Sequence, residues 1–258
     1  MLGQMVKSYF INKKFEIFEF NKRFTEANFN SYINQINSFE DSFVINCIGK
    51  IKQKSEDTLS LIWANSILPL ALSRSLKKSH FLIHPSTDCV FDGQTKTPYH
   101  NLDYHSANDI YGWSKSLGET SVRKMCNSLI IRVSIIGPDK NSSKGLLSWF
   151  LNCKPKSILN GYTNHYWNGI TTLEWCKKVH EIINDKSYFN TQIKNGVVQL
   201  GTKETYSKYK MLCLFKEVFN KDFIIKPHVA DHVNRCLIPN IESKLLDLQL
   251  YELSTFKF

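Results

Sequence analysis

The sequence predicts an α/β protein built on a doubly wound parallel sheet, with helices on both faces and a smaller C-terminal lobe. Strand-like and helix-like segments alternate along the chain, and most of the strands are near-continuous apolar runs. Such runs are typical of strands that are buried on both faces. The chain has 258 residues, of which 42% are hydrophobic, so it is long enough to bury a large core.

Six segments have strand patterns. The first alternates aromatic or aliphatic residues with acidic ones, and the others are mainly short apolar runs. In chain order they are 15–20 (FEIFEF), 42–49 (SFVINCIG), 80–87 (HFLIHPST), 128–137 (SLIIRVSIIG), 196–202 (GVVQLGT) and 222–229 (DFIIKPHV). The fifth is expected to return to the central sheet.

Five segments have the apolar spacing of a helix. The first has Asp57 and Thr58 at its start as capping residues. The segments are 57–78, 111–125, 145–152, 171–185 and 206–219. The aromatic stretch 160–169 (NGYTNHYWNG) has neither pattern and is expected to be irregular.

The change of pattern after Gly137 divides the chain into two parts. Residues 1–137 and about 170–202 are assigned to the sheet core, and about 138–169 and 203–258 to a substrate-binding lobe. Because no internal repeat and no Pro/Gly/Ser-rich linker separates them, we expect the two parts to pack closely.

Composition and charge favour a cytoplasmic protein that binds a small molecule. The net charge is +10, but the basic residues are scattered and form no dense tract, so nucleic acid is disfavoured. A lysine-rich solvated surface is the first interpretation, and attraction of a phosphorylated small molecule is the second. The seven cysteines include no C-x-x-C pair, which is typical of reduced thiols in the cytosol. No apolar run reaches the roughly 20 residues of a membrane span. No signal peptide is recognisable.

Polar residues follow three of the predicted strands. In a doubly wound sheet the ligand binds beyond the carboxyl ends of the strands. The residues at those ends are Asn46, Cys47 and Ile48, then Ser86 and Thr87, and then Arg132 to Ser134.

Tyr111 and Lys115 lie one helical turn apart at the start of a predicted helix. Alone, this spacing does not distinguish a catalytic pair from an aromatic and a basic residue that share one helical face. Beside the strand ends it indicates chemistry, because a lysine ammonium would favour the phenolate and lower a tyrosine pKa of about 10 toward neutrality. Lys115 would also bind a ribose hydroxyl, and Thr87 would hydrogen-bond a carbonyl oxygen.

The basic turn after the first predicted strand favours NADP over NAD. An NAD-binding protein commonly has a carboxylate at this position for the ribose 2′-hydroxyl. This chain continues with Lys22 and Arg23, which would instead contact a 2′-phosphate.

Three motifs together resemble the extended short-chain dehydrogenase/reductases, in the branch of dTDP-4-dehydrorhamnose reductase-like proteins. They are STDCVFDG (86–93), YGWSK (111–115) and IIRVSIIG (130–137). The 24 residues that separate Thr87 from Tyr111 match that branch. The resemblance covers most of the chain, is strongest between residues 42 and 137, and implies a Rossmann-like fold.

The resemblance implies a role for each motif residue. Tyr111 would be the proton donor, Lys115 its partner and a ribose ligand, and Thr87 the hydroxyl that binds the substrate oxygen. Asn65 would organise the site, and residues 46–50 would lie beside the cofactor. The segment 160–169, with Trp167 and Asn168, and Arg235 in VNRCL would face a nucleotide sugar; of these, Trp167 would stack on a base or sugar.

The residues that follow Thr87 favour reduction over dehydration. Related 4,6-dehydratases follow this threonine with Asp and Glu, whereas here Asp88 is followed by Cys89. Asp88 is therefore expected to contact the substrate without a glutamate to assist the removal of water.

The same family opens with a strand and a glycine-rich turn that binds pyrophosphate at a helix N-terminus. The segment MLGQMV resembles only the end of that turn, with Leu2 and Gly3 beside the cofactor. Either about a dozen residues precede Met1, which is the favoured interpretation, or the protein is a degraded relative with weak cofactor binding.

A metal site is not predicted. His80 and His84 share one face of a strand, and His228 and His232 are similarly spaced, but neither pair has a third ligand.

The sequence thus predicts NADPH-dependent reduction of a keto group on a nucleotide-activated sugar, for surface-polysaccharide synthesis. The alternatives are a non-catalytic regulatory subunit of the same fold and a nucleotide-sugar epimerase. The oligomeric state is left open, with a homodimer as one alternative.

Overall fold

The computed structural model describes residues 1–21, 23–51, 57–123, 127–139 and 144–257, except the side chains of residues 186, 189, 193 and 195. Its centre is a five-stranded parallel sheet in the order β1-β2-β3-β8-β12. These strands are Phe43–Ile45 (β1), Phe81–Ser86 (β2), Ser128–Val133 (β3), Val197–Thr202 (β8) and Ile241–Ser243 (β12).

Ten α-helices surround this sheet within the described part of the chain. They are Leu2–Asn12 (α1), Phe29–Asn37 (α2), Thr58–Ile62 (α3), Leu68–Ser75 (α4), Ile110–Val122 (α5), Leu146–Leu151 (α6), Thr172–Asn184 (α7), Lys186–Asn195 (α8), Lys208–Val218 (α9) and Leu246–Thr255 (α10). A π-helical segment, Trp63–Ile67, joins α3 to α4. The short strands outside the main sheet are Ile135–Ile136 (β4), Ile158–Tyr162 (β5), His165–Trp167 (β6), Ile170–Thr171 (β7), Tyr206–Ser207 (β9), Ile224–His228 (β10) and Val233–Asn234 (β11).

The three inner strands of the central sheet, β2, β3 and β8, bury side chains on both faces. In β3, Leu129 and Ile131 join a core cluster with residues of α1, α7, α9 and α10, whereas Ile130 joins a second cluster with residues of α2 and α4. Successive side chains of a strand point to opposite faces, so the continuous apolar runs fill both layers. This arrangement confirms the predicted Rossmann-like, doubly wound fold.

The predicted helix 57–78 is present, with a change of pitch inside it. The Asp57 carboxylate accepts a hydrogen bond from the Leu59 amide at 3.0 Å and so caps α3, as predicted. The π-helical turn then contains Asn65, which is 1% exposed. Single π-turns inside α-helices are frequent at functional sites.

The prediction of a strand at 15–20 is wrong. This segment forms no strand pairing; instead Phe18 stacks on Phe39 with ring centroids 4.0 Å apart, and Phe20 packs on Tyr32. Within the described residues β1 pairs only with β2. Consequently the predicted strand 42–49 shortens to three half-covered residues, and Phe43 is 41% exposed.

The stretch 160–169 is more regular than predicted. Its first residues belong to β5, which pairs in parallel with β10, and its centre forms β6, which lies between β11 and β9. The sequence analysis did not predict the helices α1, α2, α8 and α10 or the strand β12. The fifth predicted strand does return to the sheet as β8, next to β3.

The division of the chain into core and lobe remains a prediction. The structure adds that β12, which comes from the stretch assigned to the lobe, is the edge strand beside β8. No described helix is both long and apolar enough to cross a membrane. The six cysteines in the described ranges are free thiols.

Candidate active site

The candidate site forms where β2 ends and α5 begins. Thr87 follows β2 and starts a short 3₁₀ turn, in which its hydroxyl accepts a hydrogen bond from the Cys89 amide at 3.2 Å. A Cβ on Gly112 would lie 2.3 Å from the Cys89 carbonyl oxygen, so only glycine allows α5 to approach this turn. Asp109 caps α5 by accepting from the Gly112 amide at 2.8 Å.

Tyr111, Thr87 and Asp88 lie together at this turn. The side chain of Tyr111 lies beside that of Thr87. Thr87 Oγ1 donates a hydrogen bond to Asp88 Oδ1 at 3.0 Å. Two of the three predicted catalytic residues are therefore in contact, with a carboxylate behind them.

The pKa of Tyr111 differs from the sequence-based expectation. Burial, followed by the Cys89 thiol, raises this pKa above its ordinary value, and the neighbouring Thr87 hydroxyl opposes the change only in part. Lys115 is not among the main causes of the shift. The tyrosine is therefore protonated at neutral pH, as a proton donor must be.

Lys115 points to the end of β2 and not to the tyrosine hydroxyl. Its Nζ donates to the Pro85 carbonyl oxygen at 2.8 Å. Burial lowers the pKa of Lys115 to about 8, which the charge of Glu119 partly opposes. The third predicted catalytic residue thus borders the same turn and titrates close to neutrality, but it is not paired with Tyr111.

Asn65 connects the loop after β1 to α5. Its side chain accepts from the Lys50 amide and donates to the Lys50 carbonyl oxygen, both at 2.9 Å. It also donates to Ser114 Oγ at 3.0 Å. A Cβ on Gly118 would lie 2.0 Å from the Asn65 carbonyl oxygen, so the π-turn and α5 are in direct contact there.

A groove of about 680 Å³ runs along the carboxyl end of β1. Arg23 and Lys50 supply cations, Glu26 and Asp57 supply carboxylates, and the remaining walls are mainly apolar. The other lining residues are Phe20, Asn21, Phe24, Thr25, Cys47, Ile48, Gly49, Leu59, Ser60, Trp63, Ala64 and Leu68.

Three predicted cofactor residues line this groove: Arg23, Cys47 and Ile48. Gly3 lies next to it, since a Cβ there would be 3.3 Å from Cys47 Cβ, and Leu2 precedes it in α1. The predicted residue Lys22 lies outside the described residues.

Asn46 lies behind the groove. Its side chain accepts from the Ile48 amide at 3.2 Å and contacts His84 Nδ1 at 3.3 Å. It is only 6% exposed, so it stabilises the loop that carries Cys47 and Ile48 and does not line the groove.

Arg132 is not at the predicted cofactor site. Its side chain is fully buried and forms an ion pair with Glu119 under α5. Arg132 also donates to Gln199 Oε1 at 2.8 Å, and Ser86 donates to the Glu119 carboxylate at 2.6 Å. This network joins β2, β3, β8 and α5, which a strand-end argument from the sequence did not reveal.

Trp167 and Asn168 are structural rather than exposed to a sugar. Trp167 is 4% exposed and its indole donates to Ser134 Oγ at 2.8 Å. Asn168 donates to the carbonyl oxygens of Thr202 and Leu237 and is 5% exposed. Their burial follows from β6 lying inside a three-stranded sheet, where the sequence predicted an irregular loop.

Arg235 does reach the site. Its guanidinium contacts Cys89 Sγ at 3.6 Å, two residues from Thr87. Lys208, which begins α9, lies near Asp88 and Arg235, and sequence reasoning missed it. Nothing distinguishes this lysine from the many surface lysines of the chain; only the pairing of β9 with β6 brings it here.

The histidine pairs have structural partners. His80 accepts from the Ser42 amide and contacts the Ile36 carbonyl oxygen. His84 contacts Asn46. In the described ranges no group of three or more His, Cys, Asp or Glu residues could bind a metal ion.

Comparison with known proteins agrees with this fold. The family model described as the RmlD substrate binding domain matches residues 2–154. The dTDP-4-dehydrorhamnose reductase from Bacillus anthracis str. Ames, solved in complex with NADP, superposes with a TM-score of 0.82 at 15% identity over 98% of this chain and 94% of that chain. The dTDP-4-dehydrorhamnose reductase from Yersinia enterocolitica gives 0.77 at 18% identity, over 98% and 94%.

The UDP-N-acetylglucosamine 4-epimerase from Bacillus cereus has a TM-score of 0.72 at 15% identity, over 98% and 94% of the two chains. Among curated proteins no match was found. At these identities the solved structures establish the shared fold.

Proposed function

Because the chain belongs to the family of the RmlD substrate binding domain, we propose that it is an NADPH-dependent reductase of a keto group on a nucleotide-activated sugar. The observation that carries the proposal is the grouping of Tyr111, Thr87 and Asp88 at the carboxyl edge of the sheet, where doubly wound folds bind their ligands. The neighbour from Bacillus anthracis was solved with NADP, which supports the choice of cofactor.

The groove along β1 fits a dinucleotide. A Cβ on Gly49 would lie 3.3 Å from Asn65 Oδ1, which also accepts from the Lys50 amide, so Asn65 fixes the backbone of this groove-lining segment. Arg23 and Lys50 would bind phosphate groups, and Trp63 and Phe24 would contact the base. When bound, NADPH supplies the two electrons and one of the two hydrogens that convert a ketone into an alcohol.

The chain's own residues would supply the other hydrogen. Tyr111, which is protonated at neutral pH, would donate its proton to the carbonyl oxygen. Thr87 would hydrogen-bond the same oxygen and stabilise the charge that develops there. In this structure the threonine hydroxyl donates its single proton to Asp88, so it would turn away from that carboxylate to donate to the substrate.

The test is NADPH oxidation by the wild-type protein and by Tyr111→Phe, with a panel of 4-keto nucleotide sugars. We expect turnover by the wild type and a loss of about 100-fold or more in the variant, with unchanged NADPH affinity. If the folded wild type binds NADPH but oxidises none with any sugar, the regulatory alternative replaces the reductase. A stereochemically altered sugar without net oxidation would indicate an epimerase, which the likeness to the Bacillus cereus enzyme favours as second candidate.

We further propose a cytoplasmic role in surface-polysaccharide synthesis. The substrate class supports this, because reduced nucleotide sugars are the activated donors from which such polymers are assembled. A knockout strain should accumulate the keto sugar nucleotide and lose the corresponding sugar from its surface.

We also propose that the protein is a homodimer through α3–α4 and α5. These adjacent helices present apolar side chains to solvent outside the groove: Ile67, Leu70, Trp113 and Leu117. The two helices run in the same direction, since each leads into a parallel strand. Their starts carry Asp57 and Asp109, and their ends carry Arg74 and Arg123.

A two-fold axis across this face would place the arginine ends against the aspartate ends of the second copy and bury the apolar rows together. Light scattering should therefore give a dimer mass for the wild type and a monomer mass for Leu117→Arg. A monomeric wild type at micromolar concentration would refute the dimer.

A further inference from the structure

Two asparagine side chains hold the loop that lines the groove from behind. Asn65 accepts a hydrogen bond from the Lys50 amide at 2.9 Å, and Asn46 accepts one from the Ile48 amide at 3.2 Å. Each asparagine is anchored in turn by its side-chain nitrogen. The first is bound to α5, and the second is bound to β2 through His84.

The hydrogen bond between Asn46 and His84 has a defined direction. Asn46 Oδ1 accepts from the Ile48 amide, so Nδ2, which can only donate, faces His84 Nδ1 at 3.3 Å. Nδ1 is therefore the acceptor. Burial, followed by the charge of Lys115, lowers the pKa of His84 well below its ordinary value of 6.5. The ring is thus neutral at neutral pH, and its single proton lies on Nε2.

The Nε2–H group of His84 is buried and has no acceptor within the described part of the chain. The residue is only 1% exposed, and a buried donor without a partner lowers stability. An apolar side chain at this position would avoid that loss. What a histidine provides here, and an apolar residue does not, is the acceptor for Asn46.

His80 offers a comparison four residues earlier in the chain. It is 2% exposed, and its Nδ1 accepts from the Ser42 amide at 3.2 Å. Its Nε2 contacts the Ile36 carbonyl oxygen at 3.1 Å, so both ring nitrogens have partners. Ser42 precedes β1, whereas the groove lies at the carboxyl end of that strand. Two buried histidines therefore hold opposite ends of β1, and His84 is the one connected to the groove.

We propose that His84 is a positioning residue for the cofactor. Through Asn46 it fixes the Ile48 amide, and with it a part of the loop that forms the groove wall. A loop that is already held in one conformation loses less entropy when a ligand binds, so His84 raises the affinity without touching the ligand. This inference rests on the proposed function for the identity of the ligand.

Three variants interrupt or restore the chain of contacts. His84→Leu removes the acceptor for Asn46, and His84→Gln restores one with its side-chain carbonyl. Asn46→Ala breaks the same chain at its next member. The matched control is His80→Leu, which removes a buried histidine from the same segment and leaves the groove loop untouched.

The measurements are NADPH affinity by calorimetry, melting temperature, and backbone amide exchange by NMR in the protein without cofactor. We expect His84→Leu to bind NADPH about 10-fold more weakly and to exchange the Ile48 amide about 10-fold faster than the wild type, with His84→Gln recovering most of both. His80→Leu should lower the melting temperature and speed exchange of the Ser42 amide, with NADPH affinity and Ile48 exchange unchanged.

Asn46→Ala should also weaken NADPH binding. Adding His84→Leu to it should weaken binding little further, because both changes break one chain of contacts. Independent, fully additive losses in the double variant would contradict that chain.

Unchanged NADPH affinity in folded His84→Leu would overturn the inference, as would an equal loss of affinity in His80→Leu. If His84→Leu does not fold, unchanged affinity in Asn46→Ala would overturn it instead. A wild type that binds no NADPH would refute the proposed function. In that case the exchange rate of the Ile48 amide would still show whether His84 holds the loop, so the two failures are distinguishable.

Discussion

The guanidinium of Arg132 and the carboxylate of Glu119 form an ion pair beneath α5, with both side chains excluded from solvent. A second contact joins Arg132 Nε to Glu119 Oε2 at 3.3 Å, and Ser86 and His105 contact the same carboxylate. The pair ties the helix that carries Tyr111 to β3. Breaking it would leave a buried charge without its partner.

Glu119→Gln should therefore destabilise the protein by about 3–5 kcal/mol. Urea denaturation of the wild type and the variant measures this difference. The matched control is Glu181→Gln, whose carboxylate is exposed and pairs with Lys178 on the surface of α7, and which should change stability by less than about 1 kcal/mol. An equal loss of unfolding free energy in the two variants would show that the buried pair contributes no more to stability than the exposed pair.

The same carboxylate predicts how stability depends on acid. Burial alone would raise the pKa of Glu119, but its hydrogen bond with His105 and the charge of Arg132 outweigh it and hold this pKa at about 2, below its ordinary value of 4.5. Between these values the unfolded chain binds more protons than the folded one, so the contribution of Glu119 is full above pH 4.5 and is lost as the pH falls toward 2. The free energy of unfolding should therefore fall more steeply with decreasing pH in the wild type than in Glu119→Gln across that window. Parallel curves would contradict the lowered pKa of Glu119.

Gly112→Ala should damage both the fold and the site. The new Cβ would lie 2.3 Å from the Cys89 carbonyl oxygen, a backbone atom that moves only with the turn that holds Thr87. We expect a loss of about 1–3 kcal/mol and reduced activity in the fraction that folds. Gly145→Ala is the control, because a Cβ there meets no atom within 4 Å; thermal melts of the two variants decide the matter.

Lys115 predicts the alkaline limit of activity. Its pKa is lowered by burial to about 8, so the ammonium loses its proton as the pH rises through that value. If the charge binds the ribose, as the sequence analysis predicts, NADPH affinity should fall above about pH 8. Between pH 8 and the ordinary lysine value of 10.5 the unfolded chain holds more protons, and stability should increase with pH over the same range. The alkaline limb of the affinity curve should be absent in Lys115→Met.

Arg23→Met should reduce the preference for NADPH over NADH. Arg23 lines the groove, and one charge-assisted contact with a 2′-phosphate contributes about 1.5–3 kcal/mol, or roughly 10-fold to 100-fold in affinity. NADH affinity should be unchanged, as should both affinities in Lys226→Met, whose lysine is exposed on β10. An equal loss for the two cofactors would mean that Arg23 does not contact the 2′-phosphate.

Sequence patterns predicted the elements whose character is set locally. The apolar pattern predicts β2, α5 and β3. Strand and helix ends likewise predict the positions of Thr87 and Tyr111. The pattern failed for 15–20, since a strand requires a neighbour to pair with, and an alternating sequence cannot supply one. It also failed for Lys208 and Arg132, because their surroundings are built from β9, β6 and β8, which are distant in the chain.

The wider turn at Trp63–Ile67 inserts one residue into the helical repeat, and this fixes where Asn65 points. Deleting a single residue from this turn would restore ordinary α-helical pitch and rotate everything on its N-terminal side by roughly 100°, including the cap at Asp57. The amide of Asn65 and the wall formed by Trp63 would then no longer face their present neighbours together. This helix should therefore tolerate substitutions of its surface residues better than a change in its length.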